Sequence, residues 1–287
     1  MGTIKELYDG VGFGRLITVG HQGGQAKLSK AEEKGYISAG LHLAPFKASG
    51  HQMCPFASDG CAKACLTFSG QGGIGLDKNN MNTCQRARIA RTKVFMEQPG
   101  RFWEMFHREM EAFIRKAKRL GLKPTFRPNI TSDVPWERKR DLARGKRTMF
   151  EEYEGRVQFM DYTAWPIELR RNVPDNYHLT FSLKEDNDDR AHKALESGMC
   201  VAVAMDVGKS EPMPETWGGY PVIDGDDHDL RFLDAPGHVV GLRPKGSKAK
   251  KDKSGFIRSK DGGLSLTGAH EVWTEQWSMT KAFWRKS

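Results

Sequence analysis

Four of the five cysteines of this chain fall within one short stretch, with the spacing C-x6-C-x3-C-x18-C. They are Cys54, Cys61, Cys65 and Cys84. Glycine and proline residues around them permit tight turns, which let several thiols face one centre. A fold that accepts this stretch must bring those side chains close together. The spacing therefore predicts a bound metal ion or an iron–sulfur centre.

The spacing also bears on the type of centre. Thiolates are soft ligands that suit zinc and iron–sulfur clusters rather than magnesium or calcium. Zinc sites usually contain C-x2-C pairs, and this chain has none. The looser gaps favour a wider 4Fe–4S cluster, with zinc as the alternative. The remaining cysteine, Cys200, opens an apolar strand and is expected to be a core residue.

Cys84 decides what such a cluster can do. As a fourth ligand it would close the cluster, which would then serve a structural or electron-transfer role. As a bystander it would leave one iron open to a small molecule. The sequence leaves both possibilities open.

The composition predicts a cytoplasmic protein without a membrane partner. Charged residues make up 28% of the chain. The longest apolar runs, such as residues 200–205, are too short to cross a bilayer, and the N-terminus lacks the pattern of a signal peptide. In a reducing compartment, clustered cysteines are more often ligands than disulfides.

The net charge of +9 is concentrated in residues 243–260, which we call the basic segment. It holds eight Lys or Arg residues and one Asp, a net charge of +7. We predict a mobile loop, which either keeps the protein soluble or binds the phosphates of a nucleic acid. The candidate contacts are Lys245, Lys248, Lys250, Lys251 and Lys253.

The remaining pattern predicts an α/β fold. Helical periodicity covers residues 84–97 and 101–120, and short apolar runs then alternate with helical stretches. The predicted strands are 37–44, 124–130, 156–162, 177–183, 200–205, 220–223, 230–233 and 238–242, and the further helices are 136–150, 166–171 and 188–197. This alternation indicates a mainly parallel sheet with crossover helices. Six or seven units suit an open or incomplete (β/α) barrel, with a doubly wound sheet as the alternative.

We expect a single domain over residues 1–287. Residues 1–83 are predicted to form an irregular, Gly-rich N-terminal region that contains the cysteines Cys54, Cys61 and Cys65. Residues 84–242 would form the α/β core, residues 243–262 the basic loop, and residues 263–287 a helical closure. The sequence makes no prediction of the oligomeric state.

Polar side chains follow several of the predicted strands. In α/β barrels, the carboxyl ends of the strands carry the ligand-binding residues. Each residue alone is also compatible with a turn or a helix cap, but together they predict a polar pocket near the cysteines. The candidates are Arg127, Asn129, Asp133, Asp161, Tyr162, Ser182, Asp224, Asp226 and His228.

Two resemblances rest on these motifs. A three-cysteine loop after a first strand, leading into a partial barrel, resembles the radical S-adenosylmethionine (SAM) enzymes, although their usual signature is C-x3-C-x2-C. Residues 54–65, 127–136 and 159–163 are similar to an uncharacterised family of bacteriophage proteins. The first resemblance implies SAM as a further cofactor and an enzyme acting on nucleic acid or nucleotides. The second implies the cytoplasm of an infected bacterial host and no particular activity.

An alternative from another class of protein stays open. A closed iron–sulfur or zinc centre with four cysteine ligands would stabilise the fold or carry electrons, while the basic segment binds nucleic acid without any catalysis.

Overall fold

A central nine-stranded sheet organises the computed structural model, which describes residues 4–20, 26–79 and 81–266. The strands are β1 (Ile17–Val19), β2 (Tyr36–Leu41), β3 (Lys123–Arg127), β4 (Gln158–Thr163), β5 (Tyr177–Ser182), β6 (Val201–Ala204), β7 (Thr216–Trp217), β8 (Tyr220–Asp224) and β9 (Val239–Leu242). Their order across the sheet is β1-β2-β3-β4-β5-β6-β9-β8-β7. The edge strands β1 and β7 pair antiparallel to their neighbours, and all other neighbouring strands are parallel.

This topology confirms a mixed α/β fold with a mainly parallel sheet. Strands β2 to β6 lie side by side in chain order, whereas a doubly wound sheet reverses its strand order at a central switch point. Within the described residues β1 and β7 do not pair with each other, so the sheet is open.

The two long helices predicted over residues 84–97 and 101–120 are present. The helices are α1 (Ile4–Tyr8), α2 (Ala26–Glu33), α3 (Asp59–Lys63), α4 (Thr83–Glu97), α5 (Pro99–Arg119), α6 (Met149–Glu152), α7 (Asp188–Glu196) and α8 (Gly246–Lys250). Pro99 suits the first turn of α5, where its missing N–H is not needed. The apolar stripe of α5, including Phe102, Phe106 and Met110, is fully buried in the main core. None of the helices in the described ranges combines the length and apolar character needed to cross a bilayer.

Several predicted elements differ from the structure. The predicted helix 136–150 is replaced by two 3-10 turns, at Trp136–Arg138 and Leu142–Arg144, followed by α6. The predicted helix 166–171 is a 3-10 turn at Ile167–Leu169. The predicted strand 230–233 is a 3-10 turn because Arg231 turns inward, where its Nη1 lies 3.2 Å from Asp234 Oδ2.

The terminal regions also differ from expectation. Residues 1–83 are less irregular than predicted, because they contain β1, β2 and three helices. The basic segment is folded rather than a free arm: it forms α8, and Arg258 pairs with Met205 in a β-bridge. Residues 267–287 of the predicted C-terminal closure lie outside the described residues.

Asn129 fixes the loop that follows β3. Its backbone N–H and side-chain Nδ2 donate to the two carboxylate oxygens of buried Asp161, at 2.9 and 3.0 Å. Its Oδ1 accepts from Ser132 Oγ, the Val134 N–H and Trp136 Nε1 at 2.8 to 3.0 Å. The tryptophan is drawn into the core by this bond, which explains why the helix predicted to start there does not form.

We predict that Asn129→Ala lowers the free energy of unfolding by about 2–4 kcal/mol, since it leaves several buried polar groups without partners. Ser132→Ala removes one donor from the same oxygen and should cost about 1 kcal/mol. Urea denaturation followed by circular dichroism measures both values. Equal losses for the two variants would contradict a central role for Asn129.

Candidate functional site

Residues 54–65, the cysteine loop, lie over the carboxyl ends of β4 and β5. Phe56 in this loop packs against Trp165, which follows β4, with ring centroids 4.7 Å apart. Trp165 is itself fixed, because its Nε1 donates to the Asp133 carbonyl at 2.8 Å. The cysteines therefore sit at the edge of the sheet where α/β proteins usually bind ligands.

A carboxylate beyond β5 holds the other half of the loop. Glu185 accepts hydrogen bonds from Ser58 Oγ and the Gly60 N–H, both at 2.6 Å. Ser58 in turn caps α3, which carries Cys61. A Cβ atom at residue 60 would lie within 3 Å of the side-chain ends of Glu185 and Ser254, so a larger residue would displace these side chains.

The thiols of Cys54, Cys61 and Cys65 lie within electrostatic reach of one another. Burial raises the pKa of Cys54, and the other two thiols raise it further. Burial also raises the pKa of Cys65. Backbone N–H groups point at the sulfurs: Phe46 donates to Cys54 Sγ at 3.4 Å, and Thr67 donates to Cys65. Among the described residues, however, no three Cys, His, Asp or Glu side chains converge closely enough to hold a metal ion.

A buried carboxylate adjoins this group of thiols. Asp133 raises the pKa of Cys54, and burial raises the pKa of Asp133 itself. Its Oδ2 accepts the Ala164 N–H at 2.8 Å. No donor in the described part of the chain bonds to its Oδ1, from which Arg170 Nη1 is 3.9 Å away.

Two cations face the same thiols. Lys184 and Arg88 both act to lower the pKa of Cys65. Lys184 is buried, and its Nζ donates to Ser182 Oγ at 3.0 Å. Ser182, a candidate from the sequence, is thus linked through Lys184 to the surroundings of Cys65.

Cys84 occupies a different position from the other three cysteines. It lies in the first turn of α4, close after the N-cap Asn82, whose side chain accepts the Gln85 N–H at 2.9 Å. Its side chain lines a neighbouring cleft together with Arg88. Cys84 and Cys65 both act on the pKa of Arg88, so this arginine lies between the cleft and the three-thiol group.

The cleft has a volume of about 1750 Å³ and follows the carboxyl edge of the parallel sheet. Its walls include residues from the ends of five parallel strands, and α4 and the basic segment complete them. The strand-end residues are His42 (β2), Arg127 (β3), Asp206 (β6), Asp226 (β8) and Arg243 (β9). Since strands from both halves of the sheet border one space, the sheet curves around the cleft.

Some of the predicted ligand-binding residues are buried and form hydrogen bonds within the fold. Asp161 is fully buried and bonds to Asn129 and to the Tyr177 hydroxyl at 2.8 Å. His228 is also buried, and its Nδ1 accepts the Leu230 N–H at 3.2 Å. These side chains organise the sheet and its loops rather than the surface of the cleft.

The acidic residues after β8 pair with the basic segment. Arg243 Nη1 lies 3.0 Å from both carboxylate oxygens of Asp224 and 3.4 Å from Asp226 Oδ2. Lys245 Nζ lies 3.2 Å from Asp226 Oδ1. Asp226, a candidate for ligand binding, and Lys245, a candidate for phosphate binding, thus neutralise each other.

The remaining lysines of the basic segment are spread over its surface. Lys250 lines the cleft, whereas Lys251 and Lys253 are exposed on the outside. The side chain of Lys248 lies outside the described part of the structure.

His42, Arg88 and Arg91 also line the cleft and were not among the ligand-binding candidates named from the sequence. Arg88 and Arg91 follow Cys84 at helical spacing and therefore share one face of α4, which is the signal that was available. Arg127, named from the sequence, completes this wall with its guanidinium 5.1 Å from the ring centroid of Tyr162.

The pKa of His42 reflects its burial and the positive charge of that wall. Burial, followed by the guanidinium groups of Arg88, Arg91 and Arg127, lowers the pKa of His42 to about 3. The ring is therefore neutral at physiological pH and serves as a hydrogen-bonding group, not as a charge.

We predict that His42 makes stability depend on pH between about 3 and 6.5. In this window the unfolded chain binds a proton that the folded chain does not, so stability rises with pH by up to about 1.4 kcal/mol per unit. His42→Gln should reduce this slope and leave the pH dependence above pH 7.5 unchanged. Denaturant unfolding from pH 4 to 8 measures the difference, and parallel curves throughout would contradict the assignment.

Comparison with known proteins gives a family match. A search of curated proteins and a search of solved structures each found no match. The family match agrees with the resemblance to bacteriophage proteins, and nothing in the comparisons supports the resemblance to radical SAM enzymes. The model of the family described as Gene product 88 matches residues 16–260, and the chain therefore belongs to this family of phage type.

Proposed function

We propose that this protein is an iron–sulfur protein in which Cys54, Cys61 and Cys65 hold a four-iron cluster at the carboxyl edge of the sheet. The observation that carries the proposal is the grouping of these three thiols within electrostatic reach of one another, with Cys54 and Cys65 desolvated. Burial keeps the thiols of Cys54 and Cys65 protonated unless a cation is bound, and coordination to iron supplies that cation.

The spacing of the cysteines favours a cluster over a single zinc ion. Zinc sites usually contain C-x2-C pairs, and this chain has none, whereas a four-iron cluster accepts thiolates that lie farther apart. The N–H groups of Phe46 and Thr67, and the charges of Arg88 and Lys184, would offset the negative charge of a thiolate-ligated cluster.

The position of Cys84 in the wall of the cleft supports an open iron and therefore an enzyme. An iron without a thiolate ligand can bind a small molecule directly, and SAM is the candidate that the cysteine loop suggests. Chain-ordered parallel strands that curve around the cleft support an incomplete (β/α) barrel. In this proposal the cleft beside the cluster takes a nucleic acid or a nucleotide as substrate.

A second candidate is a closed, non-enzymatic centre in which all four cysteines are ligands. One observation favours it: Cys84 and Cys65 act on the same guanidinium, that of Arg88. With Cys84 as the fourth ligand, the cluster would serve the fold or electron transfer.

We predict about four iron and four sulfide ions per chain after anaerobic purification, with a broad visible absorption band near 400 nm. Cys54→Ser, Cys61→Ser and Cys65→Ser should each abolish the cluster. Cys200→Ser is the matched control, because Cys200 is a core residue that bonds to the Ala235 carbonyl, and it should keep the cluster. Stoichiometric zinc without iron would overturn the proposal.

We predict that Cys84→Ser keeps the iron and sulfide content of the wild type if one iron is open. Loss of the cluster in this variant would instead establish the closed four-cysteine centre. With the cluster intact, addition of SAM to the reduced protein should change its electron paramagnetic resonance spectrum. An unchanged spectrum would contradict SAM binding but not the cluster.

A further inference from the structure

The cleft has two walls of different electrostatic character. In the basic segment, four of the eight Lys and Arg residues have an acidic partner among the described residues. Arg243 and Lys245 pair with Asp224 and Asp226, and Lys260 pairs with Glu211. Arg258 pairs with Asp188. The fold thus compensates about half of the positive charge of this segment.

The opposite wall carries the arginine cluster, which we define as Arg88, Arg91 and Arg127. Within the described ranges none of the three forms an ion pair. Neutral groups hold them in place: Arg88 Nη1 donates to the Thr67 carbonyl at 2.8 Å, and Arg91 Nε donates to the Arg15 carbonyl at 2.9 Å. The third guanidinium lies over the ring of Tyr162.

Two carboxylates influence the arginine cluster from a distance without pairing with it. Burial raises the pKa of Asp161 to about 7 against the opposing charge of Arg127, and that carboxylate is bonded to Asn129. Burial lowers the pKa of Arg91 against the opposing charge of Glu109, whose oxygens accept the N–H groups of Leu16 and Ile17 at 2.6 and 2.9 Å. Neither carboxylate forms an ion pair with the cluster.

The three guanidinium groups converge on one place. All three act on His42, which directly follows β2. All three line the cleft, and Arg88 is only 9% exposed. Three guanidinium groups without an ion pair at one place attract negative charge, so this arrangement points to an anion that the protein binds.

We propose that the arginine cluster binds the phosphate groups of a phosphate-bearing ligand. The planar guanidinium group suits a phosphate, because it donates two parallel hydrogen bonds to two oxygens. The cluster also lies at the carboxyl edge of a parallel sheet, where ligands of such folds bind. Neutral His42, at the centre, adds a hydrogen bond to a phosphate oxygen.

The size of the cleft bears on the ligand. At about 1750 Å³ it exceeds the 300–1,000 Å³ that is common for small-molecule sites. It has room for a nucleotide or for a short segment of a nucleic-acid strand, with the phosphates on the arginine cluster. This inference deepens the proposed function by assigning the residues that bind the phosphates of the ligand, and it rests on that function only for the reaction, not for binding.

Binding of inorganic pyrophosphate to the full chain, measured by isothermal titration calorimetry, tests the proposal. Arg91→Gln and Arg127→Gln should each weaken binding at least tenfold, because each removes a charged donor. Lys260→Gln is the matched control: it removes one positive charge from the same cleft but from an ion pair, and should change affinity less than threefold. Circular dichroism verifies that each variant is folded.

A fluorescein-labelled dT20 oligonucleotide in an anisotropy assay identifies the source of the phosphate. If the strand binds, pyrophosphate competes and each arginine variant lowers the salt dependence by about one charge, the ligand is a nucleic acid. If pyrophosphate binds and the strand does not, the ligand is a free phosphate compound. The proposal is overturned if the folded wild type does not bind pyrophosphate at millimolar concentration and low salt, or if all variants bind it equally.

Iron analysis of the same samples separates this proposal from the proposed function. Protein that holds a cluster but does not bind pyrophosphate would contradict the arginine site alone. Protein without iron that binds pyrophosphate through the arginine cluster would contradict the iron–sulfur proposal alone.

Discussion

The hydrogen bonds of Asn129 link the sheet to everything that lies on its carboxyl edge. They join the end of β3 to Asp161 in the middle of β4 and fold the following loop back onto the core. Asp133 belongs to this loop, and it adjoins Cys54 and supports Trp165, against which the cysteine loop packs. A buried amide that bonds to a buried carboxylate is costly unless every polar atom has a partner, and this network provides those partners. The position of the cysteine loop therefore depends on hydrogen bonds between residues outside that loop.

The sequence predicted the parts of the fold that follow from periodicity. Helix α5 and most parallel strands form where their apolar residues recur at the proper spacing, whereas α4 forms where predicted although it buries Gln85, Arg88 and Thr92. The helix predicted over residues 136–150 does not form, for a reason that hydrophobic periodicity cannot reveal. The indole N–H of Trp136 bonds to Asn129, and the chain leaves helical geometry to make this bond. Likewise, Arg231 interrupts the predicted strand 230–233 because its buried guanidinium pairs with Asp234. In both cases a buried polar side chain found its partner only a few residues away along the chain.

The same limit applies to charge. Counting residues identified residues 243–260 as the basic part of the chain, but a count does not reveal which cations have partners. The fold sets Arg243 and Lys245 against Asp224 and Asp226, which lie almost twenty positions earlier in the chain. It leaves positive charge uncompensated in a wall built from α4 and β3, although the spacing of the α4 arginines is equally compatible with a solvated helix face. Candidate sites for anions are therefore better sought among arginines that contact neutral groups than among runs of lysine.

Arg88 connects the two proposed sites. Burial lowers the pKa of its guanidinium, the charges of Cys84 and Cys65 oppose this shift, and the side chain belongs to the wall of the cleft. A thiolate-ligated cluster and a bound phosphate are both negative, so under the two proposals both would draw on the positive charge of this one side chain. In a partly buried setting their mutual repulsion would be screened only weakly by salt. Arg91 and Arg127, in the same wall, would then supply the further positive charge that the proposed phosphate needs.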